Sequence, residues 1–330
     1  MARRIAFTGK QQVQLENFEL PALEADQIQL RTLYTLISTG TETIVLNRNF
    51  DPGTHWDNWV KYPFYAGYLN VGEVEKVGDK VMDWKVGERV YTRGRHASHQ
   101  IINPSTNAWH LPAGIDPKLA TWFGLAKIAA MGARVAEYRL GDSVAVIGAG
   151  PIGQMTVRWA AAAGVENLIV IDTLSKRLEM TTKGGATHVI CKPVDAAVED
   201  VKAANYGELP RLVVDTTGHP AVFAPALSLA AKFGRVVLLG DTGKPAEQHL
   251  TFDVVSRGIT IVGAHDTHED ATFNSTYLFR LFCRLVSSGR FNLEGLNTNT
   301  FTPDQFAKAY ETANSRRSDA MGILFDWTKG

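Results

Sequence analysis

The chain has 330 residues, of which 45% are hydrophobic and 21% are charged, and 34 Lys and Arg balance 34 Asp and Glu. This composition excludes a disordered or fibrous chain, and the length is ample for two domains. Because the formal net charge is zero and no run of like charges occurs, nucleic acid is not an expected partner.

The first 115 residues predict a domain made mostly of β-strands. Short apolar runs alternate there with turn residues, among them Pro21, the 51–53 turn and Pro104. The strands predicted in this part of the chain cover residues 27–33, 71–77, 89–91 and 97–102.

Residues 140–262 alternate strand-like runs with helical patterns, which is typical of βαβ units built around a parallel sheet. The predicted strands are residues 143–147, 168–172, 188–190, 212–215, 236–239 and 260–262. The predicted helices between them are residues 151–163, 175–183, 196–204 and 220–231. Six apolar strands predict a doubly wound α/β sheet with helices on both faces.

The last part of the chain predicts two helices and a strand. An apolar helix covers residues 277–288, and a second helix begins at Thr302, where Pro303 fits the first helical position and Gln305 can complete a capping box. Residues 321–325 predict a strand. Because these elements cannot bury themselves, we expect the tail to return to the first domain.

The sequence contains no segment typical of a membrane protein or of a secreted one. The longest uncharged stretches, residues 143–157 and 216–231, are too short and too often interrupted by Gly or Pro to cross a bilayer. The N-terminal segment meets polar residues before any apolar core develops. The only cysteines, Cys191 and Cys283, lie far apart, so we expect two buried thiols in a cytoplasmic protein.

The strongest motif is a Gly-x-Gly-x-x-Gly sequence formed by Gly148, Gly150 and Gly153, between a predicted strand and a predicted helix. In such a turn the first glycine allows the sharp bend, the second lets a pyrophosphate approach, and the third packs the helix on the strand. The helix begins with Pro151 and Ile152, and its amide groups face the anion. The motif predicts a dinucleotide-binding site.

A carboxylate at the end of the next strand indicates which dinucleotide binds. Asp172 lies roughly 20 residues after the glycine motif, where an acidic side chain accepts hydrogen bonds from the adenosine ribose and repels a 2′-phosphate. Lys176 and Arg177 could hold a phosphate, but we interpret them as solvent-facing helix residues. The sequence therefore predicts NAD rather than NADP.

Further residues follow later strands at the same edge of the sheet. Thr217 and Gly218 follow the fourth strand, Gly240 follows the fifth and Gly263 follows the sixth. Ligands of open α/β sheets bind outside the carboxyl ends of the strands. These residues are candidates for lining the nicotinamide and its ribose, and the alternative is that the glycines serve only as turns.

In combination and order, four stretches of the sequence resemble the medium-chain dehydrogenase/reductase superfamily, which includes the zinc-type alcohol dehydrogenases. They are residues 37–42, 67–74, 86–90 and 141–153. The resemblance implies a GroES-like β-rich catalytic domain over residues 1–124 and 266–330 and a Rossmann dinucleotide-binding domain over residues 125–265. It also implies a cleft between the domains and a homodimer formed through the cofactor domain.

The sequence departs from the zinc-dependent members of this superfamily. Those members carry a Cys in the first stretch, a Gly-His-Glu in the second, and a further Cys, His or acid just before the cofactor domain. This chain has Ser38, Tyr68-Leu69 and Trp122–Gly124 at those places, and a four-cysteine lobe is absent after Val90. None of these side chains offers zinc a thiolate, imidazole or carboxylate. We therefore predict a zinc-lacking member; residues 38–42 and 62–68 are similar to the branch that includes the hydroxyethyl bacteriochlorophyllide dehydrogenases.

Without zinc, hydrogen-bond donors must stabilise the substrate oxygen while the nicotinamide carries the hydride. Tyr68 is the first candidate donor, and its alternative is a core aromatic. Ser38 and Thr41 either form a hydroxyl relay or satisfy a turn. His96 is a candidate for proton transfer, because the pKa of a histidine lies near neutral pH, and its alternative is a structural, hydrogen-bonded histidine.

Three further features have both a functional and a structural interpretation. Glu42 orients a donor or forms a structural ion pair, and Lys127 reaches the cleft or is a solvated helix residue. The aromatic-rich segment 50–68 forms a wall for a bulky substrate or packs in the core.

The sequence as a whole predicts an NAD-dependent, zinc-independent enzyme that interconverts a secondary alcohol and a carbonyl on a fairly apolar small-molecule substrate. A reductase of quinones or activated double bonds, which would usually draw on NADPH, is the enzymatic alternative. A dinucleotide-binding sensor without catalysis is the other.

Overall fold

The computed structural model describes residues 1–315 and 318–329. Its strands are β1 (Ala2–Gly9), β2 (Gln12–Phe18), β3 (Ile28–Leu36), β4 (Asn70–Val77), β5 (Arg89–Thr92), β6 (His99–Ile102), β7 (Trp109–His110), β8 (Ser143–Ile147), β9 (Asn167–Asp172), β10 (His188–Cys191), β11 (Leu212–Asp215), β12 (Arg235–Leu238), β13 (Thr260–Gly263), β14 (Asn297–Phe301) and β15 (Gly322–Asp326).

The α-helices vary from one turn to almost four turns in length. They are α1 (Thr39–Asn47), α2 (His55–Trp59), α3 (Pro104–Asn107), α4 (Pro117–Ala120), α5 (Phe123–Ala136), α6 (Pro151–Ala162), α7 (Ser175–Lys183), α8 (Val198–Ala204), α9 (Pro220–Ser228), α10 (Asp253–Arg257), α11 (Ser275–Ser287) and α12 (Phe306–Ser315). Within the described residues, no helix combines the length and the apolar character that crossing a membrane requires.

The chain divides into two compact units. The first unit comprises Met1–Gly124 and Leu296–Gly330, and the second comprises Leu125–Gly295. Residues 266–295, which the resemblance assigned to the first domain, therefore pack within the second unit. The reason is the apolar face of α11, where the ring of Phe282 contacts Phe291 and Phe291 in turn contacts Trp159 of α6.

The second unit contains a six-stranded parallel sheet in the order β10-β9-β8-β11-β12-β13. Its strands consist mainly of Val, Ile and Leu, and almost all residues of β8, β9 and β11 are buried. The strand order reverses between β8 and β11, where open α/β sheets bind their ligands. The prediction of a doubly wound sheet is confirmed.

The first unit contains a sheet in the order β14-β15-β3-β4-β5-β7, to which β6 adds by pairing with β3, and a separate β1–β2 hairpin. The predicted return of the tail is confirmed from β14 onward, because β15 pairs antiparallel with β3 and places Leu324 opposite Leu36, and it is wrong for the predicted helix at residues 277–288, which belongs to the second unit. The predicted capping box is present as well, since the amide of Thr302 donates to Gln305 at 3.0 Å.

The two cysteines differ in their surroundings. Cys283 lies on the buried face of α11, and burial raises the pKa of its thiol to about 12. Cys191 ends β10 and is exposed, so the expectation of two buried thiols is wrong for this residue. The cause is the position of β10 at one end of the sheet, where only one neighbouring strand covers it.

Candidate active site

The glycine motif forms a tight turn between β8 and α6. Gly148 has a φ of +91°, which favours glycine, and its amide donates to Ile171 of the neighbouring strand at 2.8 Å. A Cβ on Gly153 would lie 1.9 Å from the carbonyl oxygen of Gly148, so only glycine allows the helix to pass this close to the turn. Pro151 and Ile152 form the first turn of α6. The N-terminal amide groups of this helix therefore follow the turn directly, as an anion site requires.

Gly150 has different surroundings from those of Gly153. Within 4 Å of a Cβ on Gly150, the structure has only Nη1 of Arg177, at 3.6 Å. The space beside Gly150 is therefore open and borders a guanidinium group. Lys176 is exposed as predicted, but Arg177 is partly buried and lies at the glycine turn, so its interpretation as a solvent-facing residue is wrong.

Asp172 lies at the end of β9 and beside the same turn. One carboxylate oxygen accepts the amide of Ala149 at 2.7 Å, and the other accepts the amide of Leu174 at 2.9 Å. A carboxylate has about four lone-pair sites, so these two bonds orient Asp172 and leave capacity for ribose hydroxyls. The side chain is partly exposed.

The loops after β11 and β12 pack against each other through glycine backbone. A Cβ on Gly240 would lie 2.1 Å from the amide nitrogen of Gly218, and a Cβ on Gly218 would lie 2.4 Å from the carbonyl oxygen of Asp241. Thr217 donates through both its amide and its hydroxyl to Asp215. Close packing therefore accounts for these two glycines.

Gly263, at the end of β13, has no such packing requirement. A Cβ there would meet nothing within 4 Å in the part of the chain that the structure describes. Of the glycines proposed to line the nicotinamide, it is the one with open space beside it.

In the first unit, Ser38 and Tyr68 form a close hydroxyl pair. Oγ of Ser38 lies 2.6 Å from Oη of Tyr68, and either atom can be the donor. The hydroxyl of Thr41 also acts on the phenol by lowering its pKa, and the guanidinium of Arg93 lies 5.4 Å from the centre of the Tyr68 ring. Burial raises the pKa of Tyr68 above its usual value, against the hydrogen bonds from Ser38 and Thr41, which lower it. The phenol is therefore protonated at neutral pH.

His96 occupies a different environment, which is completely buried. Its Nδ1 lies 2.7 Å from the hydroxyl of Thr35, and its Nε2 lies 3.1 Å from a carboxylate oxygen of Glu42. Both ring nitrogens are thus engaged within the core of the first unit. The structure does not bring His96 into the hydroxyl pair, but its partner Glu42 accepts the backbone amide of Ser38 at 2.8 Å.

The aromatic-rich segment 50–68 belongs mostly to the hydrophobic core. Trp56 is buried, and Phe50 and Phe64 pack against the same core cluster. Tyr62 also packs there and donates its hydroxyl to Val45 at 2.7 Å. Ordinary packing therefore accounts for most of these side chains, which the sequence alone could not distinguish from a substrate wall.

Lys127 is buried in the second unit, so its interpretation as a solvated helix residue is wrong. Its ammonium group is buried and forms ion pairs with Asp266, at 2.9 Å, and with Glu269. Although burial raises the pKa of Glu269, hydrogen bonds from Lys127 and Ser275 hold it below its ordinary value. Lys127 therefore ties helix α5 to the loop that follows β13.

Comparison with known proteins supports the dehydrogenase resemblance. A family model described as "Zinc-binding dehydrogenase" matches residues 151–276. An L-threonine 3-dehydrogenase of Bacillus subtilis (strain 168) is 29% identical, and the match covers 91% of this chain and 92% of the relative. These matches make the chain similar to dehydrogenases over most of its length, and they support the medium-chain dehydrogenase/reductase superfamily and an oxidoreductase activity.

Solved structures of dehydrogenases share the fold of this chain. An Escherichia coli CFT073 alcohol dehydrogenase (rspB), determined with NADH, has a TM-score of 0.83 and 22% identity, covering 98% of this chain and 99% of that chain. A Sinorhizobium meliloti 1021 protein described as a putative zinc-binding dehydrogenase, determined with NADP, has a TM-score of 0.81 and 18% identity, covering 99% of both chains. At these identities the likeness shows the fold, and both cofactors occur among the neighbours.

The side chains at the three ligand positions that the resemblance identifies do not fit a catalytic zinc ion. The matched family model lies in the second unit, so it does not include Ser38, Tyr68 or Trp122. Two of these residues are hydroxyls bonded to each other, and the indole of Trp122 is a donor that bonds Asn297 at 2.7 Å. Zinc takes thiolate, imidazole or carboxylate ligands. Over residues 1–315 and 318–329, no three His, Cys, Asp or Glu side chains are grouped so as to hold a metal ion.

Sequence reasoning assigned one side chain at these sites wrongly and missed another. Arg177, considered for a phosphate and then assigned to solvent, reaches the glycine turn from α7, and its position five residues after Asp172 was the available signal. Tyr310, which was not identified, donates its hydroxyl to Glu42 at 2.6 Å. Tyr310 and Glu42 are far apart in the sequence, so no local pattern could have joined them.

Proposed function

We propose that the chain is an NAD(H)-dependent, zinc-independent oxidoreductase that interconverts a secondary alcohol and a carbonyl. The observation that carries this proposal is the 2.6 Å pair of Ser38 and Tyr68. Both hydroxyls stand at positions where zinc-dependent members of the superfamily hold metal ligands. A hydrogen-bond donor there takes over the stabilisation of the substrate oxygen.

The residues of the second unit fit a dinucleotide. The turn at Gly148 and Gly150 and the first helical turn at Pro151 and Ile152 would hold the pyrophosphate, with Arg177 adding a positive charge. The cofactor supplies the hydride when bound. Toward the nicotinamide, the proposed lining residues are Thr217, Gly218, Gly240 and Gly263.

We propose NAD rather than NADP as the cofactor. The carboxylate of Asp172 is oriented by two backbone amides and retains acceptor capacity for two ribose hydroxyls. A 2′-phosphate at that position would meet this negative charge. Arg177 is the cation nearest to the turn, and its guanidinium borders Gly150, where the pyrophosphate is expected.

In the proposed reaction the Tyr68 phenol donates its proton to the carbonyl oxygen during reduction, and in alcohol oxidation the Tyr68 phenolate accepts the hydroxyl proton. After reduction the phenolate takes a proton from the Ser38 hydroxyl through their hydrogen bond as Ser38 takes one that comes from solvent, and Thr41 is the second hydroxyl of this relay. The raised pKa of Tyr68 keeps the phenol protonated and ready to donate. His96 has no direct part in this transfer, because both of its ring nitrogens are engaged elsewhere.

The proposed substrate is a small molecule with a secondary alcohol or a ketone. Its apolar character stays a prediction from segment 50–68, in which Trp59 is 53% exposed. We also propose a homodimer formed through the second unit. In support, β13 lies at one end of the parallel sheet, and the nearby side chains Leu250, Phe252 and Val255 are exposed.

The proposal is tested by following NAD⁺ reduction at 340 nm with a panel of secondary alcohols that includes L-threonine, 2-butanol and 1-phenylethanol. We expect NAD⁺ to be preferred over NADP⁺. We expect Tyr68→Phe to lower turnover about 10²-fold without weakening NADH binding, because it removes only the acidic hydroxyl. Tyr65→Phe is the matched control, since that hydroxyl bonds Arg4 instead.

Each alternative outcome has a distinct signature. Unchanged turnover in Tyr68→Phe removes this residue from the mechanism, and a preference for NADP⁺ overturns the interpretation of Asp172. Activity restricted to quinones or enones favours the alternative reductase. Tight NADH binding without turnover of alcohols, ketones, quinones or enones favours a dinucleotide sensor.

A further inference from the structure

The first unit buries a carboxylate for which the proposed reaction has no direct use. Glu42 lies on α1 and its residue is 1% exposed. A buried carboxylate is costly unless hydrogen bonds compensate for its lost water. Its position beside the hydroxyl pair indicates that these bonds serve the site.

Three donors from three separate segments converge on Glu42. One carboxylate oxygen accepts the amide of Ser38 at 2.8 Å, and the other accepts the hydroxyl of Tyr310 at 2.6 Å. Nε2 of His96 lies 3.2 and 3.1 Å from the two oxygens. The segment before α1, the segment after β5 and helix α12 therefore all fix the orientation of this carboxylate.

The hydrogen bonds on the other side of the His96 ring determine which ring nitrogen carries the proton. Nε1 of Trp327 donates to the hydroxyl oxygen of Thr35 at 3.0 Å. The proton of Thr35 is then available for Nδ1 of His96, 2.7 Å away. In this arrangement Nε2 carries the ring proton and donates it to Glu42, and every donor in the network is used.

Ser38 does not use its hydroxyl in the way that serine usually does at the start of a helix. It is the N-cap residue of α1, where a serine oxygen commonly accepts an amide of the first turn, but its side chain makes no such bond. Instead, Glu42 hydrogen-bonds both backbone groups of Ser38. Its carboxylate accepts the amide of Ser38, and its own amide donates to the carbonyl oxygen of Ser38 at 2.8 Å. The hydroxyl is left to meet Tyr68.

We propose that Glu42, held by His96 and Tyr310, is a positioning residue that fixes the backbone of Ser38 and thereby directs the Ser38 hydroxyl to Tyr68. This inference rests on the proposed role of Tyr68 as proton donor. It assigns His96 an indirect part through Glu42, and it adds Tyr310 to the residues that support the site.

The charges around Tyr68 fit this arrangement. Burial is the largest effect that raises the pKa of Tyr68, and the hydrogen bonds from Ser38 and Thr41 lower it. The negative charge of Glu42 raises it further, while the positive charge of Arg93 lowers it. Removing the charge of Glu42 should therefore let the phenol ionise at lower pH.

The test is ¹⁹F NMR of the full chain labelled with 3-fluorotyrosine, which needs no substrate. The chain has nine tyrosines, and the Tyr68 resonance is the one missing from Tyr68→Phe. In Glu42→Gln we expect this resonance to move and to titrate at lower pH than in the wild type. In Tyr310→Phe, which keeps the charge of Glu42 and removes one clamp, we expect the resonance to move and to titrate at higher pH, because the hydrogen bond from Ser38 that lowers the pKa of Tyr68 is weakened. NADH affinity within about twofold of the wild type shows that both variants are folded.

If Glu42 acted on Tyr68 through its charge alone, the titration of Tyr68 would be unchanged in Tyr310→Phe, which keeps that charge. The proposal is overturned if folded Glu42→Gln has the wild-type resonance position and titration. If that variant does not fold, an unmoved Tyr68 resonance in Tyr310→Phe overturns it. Because the readout is the environment of Tyr68, it is separate from turnover, so full activity of Tyr68→Phe would contradict the proposed function without altering this result.

Discussion

Gly150 and Gly153 occupy the same motif but are glycines for different physical reasons. At Gly153 an added Cβ would overlap the carbonyl oxygen of Gly148, so the protein itself requires glycine. At Gly150 the space is open apart from the guanidinium of Arg177. The fold can therefore accommodate a Cβ at residue 150, but that Cβ would occupy the space that a bound pyrophosphate needs.

This difference predicts opposite results for two alanine variants. We expect Gly153→Ala to lower the free energy of unfolding by about 3 kcal/mol or more, because the overlap is with backbone. We expect Gly150→Ala to keep its thermal stability and to bind NADH about tenfold or more weakly. The measurements are thermal denaturation and NADH fluorescence titration.

The control is Gly40→Ala, since a Cβ at that exposed position on α1 meets nothing within 4 Å among the described residues. It should affect neither NADH binding nor, beyond a small gain in helix stability, unfolding. Wild-type NADH affinity in Gly150→Ala would contradict the placement of the pyrophosphate.

At this scale the sequence predicts residues whose role is local. The three glycines and Asp172 follow from fixed spacing around a strand and a helix, and the structure places them at one turn. The partners of Glu42 could not be predicted, because Ser38, His96 and Tyr310 meet only when the first unit is folded. The sequence does not show whether the carboxylate of Glu42 is buried.

Helix α5 fastens the loop that follows the last strand of the parallel sheet. Lys127 pairs with Asp266 and Glu269, and two turns further along the helix Arg134 pairs with Asp270. The carboxylate of Glu269 also accepts the amide and the hydroxyl of Ser275, at the start of α11. One helix, one loop and the next helix are thus joined by ion pairs.

We expect Lys127→Met to lower the free energy of unfolding by about 2 kcal/mol. The variant leaves two carboxylates without their buried cation, and their partial exposure keeps the cost below that of a fully buried pair. Lys202→Met is the matched control, because Lys202 and Glu199 form an exposed pair that should contribute less than about 1 kcal/mol. Equal loss of stability in the two variants, measured by urea denaturation, would contradict the role assigned to Lys127.

Whole elements were predicted well in the second unit and less completely in the first. Buried parallel strands are continuous apolar runs, so β8 and β11 begin and end at the predicted residues. The hairpin β1–β2 and helix α1 were not predicted. In β2 the exposed side chains interrupt the apolar pattern, and α1 has little separation of polar and apolar faces.

At the scale of the whole molecule, the second unit has exposed apolar side chains on the segment that precedes β13, the last strand of its sheet. Phe252 and Val255 are three residues apart at α10, and each is 79% exposed. The ring of Phe233 lies beside Gly258 at the end of the same helix. Two copies of this surface, related by a twofold axis, would cover each other's apolar side chains and the strand edge.

We therefore expect a dimer by size-exclusion chromatography with light scattering. Val255→Glu should raise the dimer dissociation constant at least about tenfold, because it places like charges in the same buried patch. Leu140→Glu, at an exposed residue before β8, should leave the dimer intact. A wild-type monomer at micromolar concentration would contradict this assembly.

The proposed mechanism uses a hydroxyl pair in place of a catalytic metal. It depends on Ser38 and Tyr68 bonding each other and on the indole of Trp122 offering no lone pair to a cation. From the sequence, this mechanism was predicted only because the zinc ligands are missing. The structure adds the contact between the Ser38 and Tyr68 hydroxyls, which stand at two of those ligand positions.

Measuring zinc by mass spectrometry in purified, catalytically active protein tests the claim most directly. If the hydroxyl pair acts in place of zinc, we expect well under one zinc ion per chain and the same turnover after exhaustive chelation. One zinc ion retained per chain, and activity lost on its removal, would contradict it.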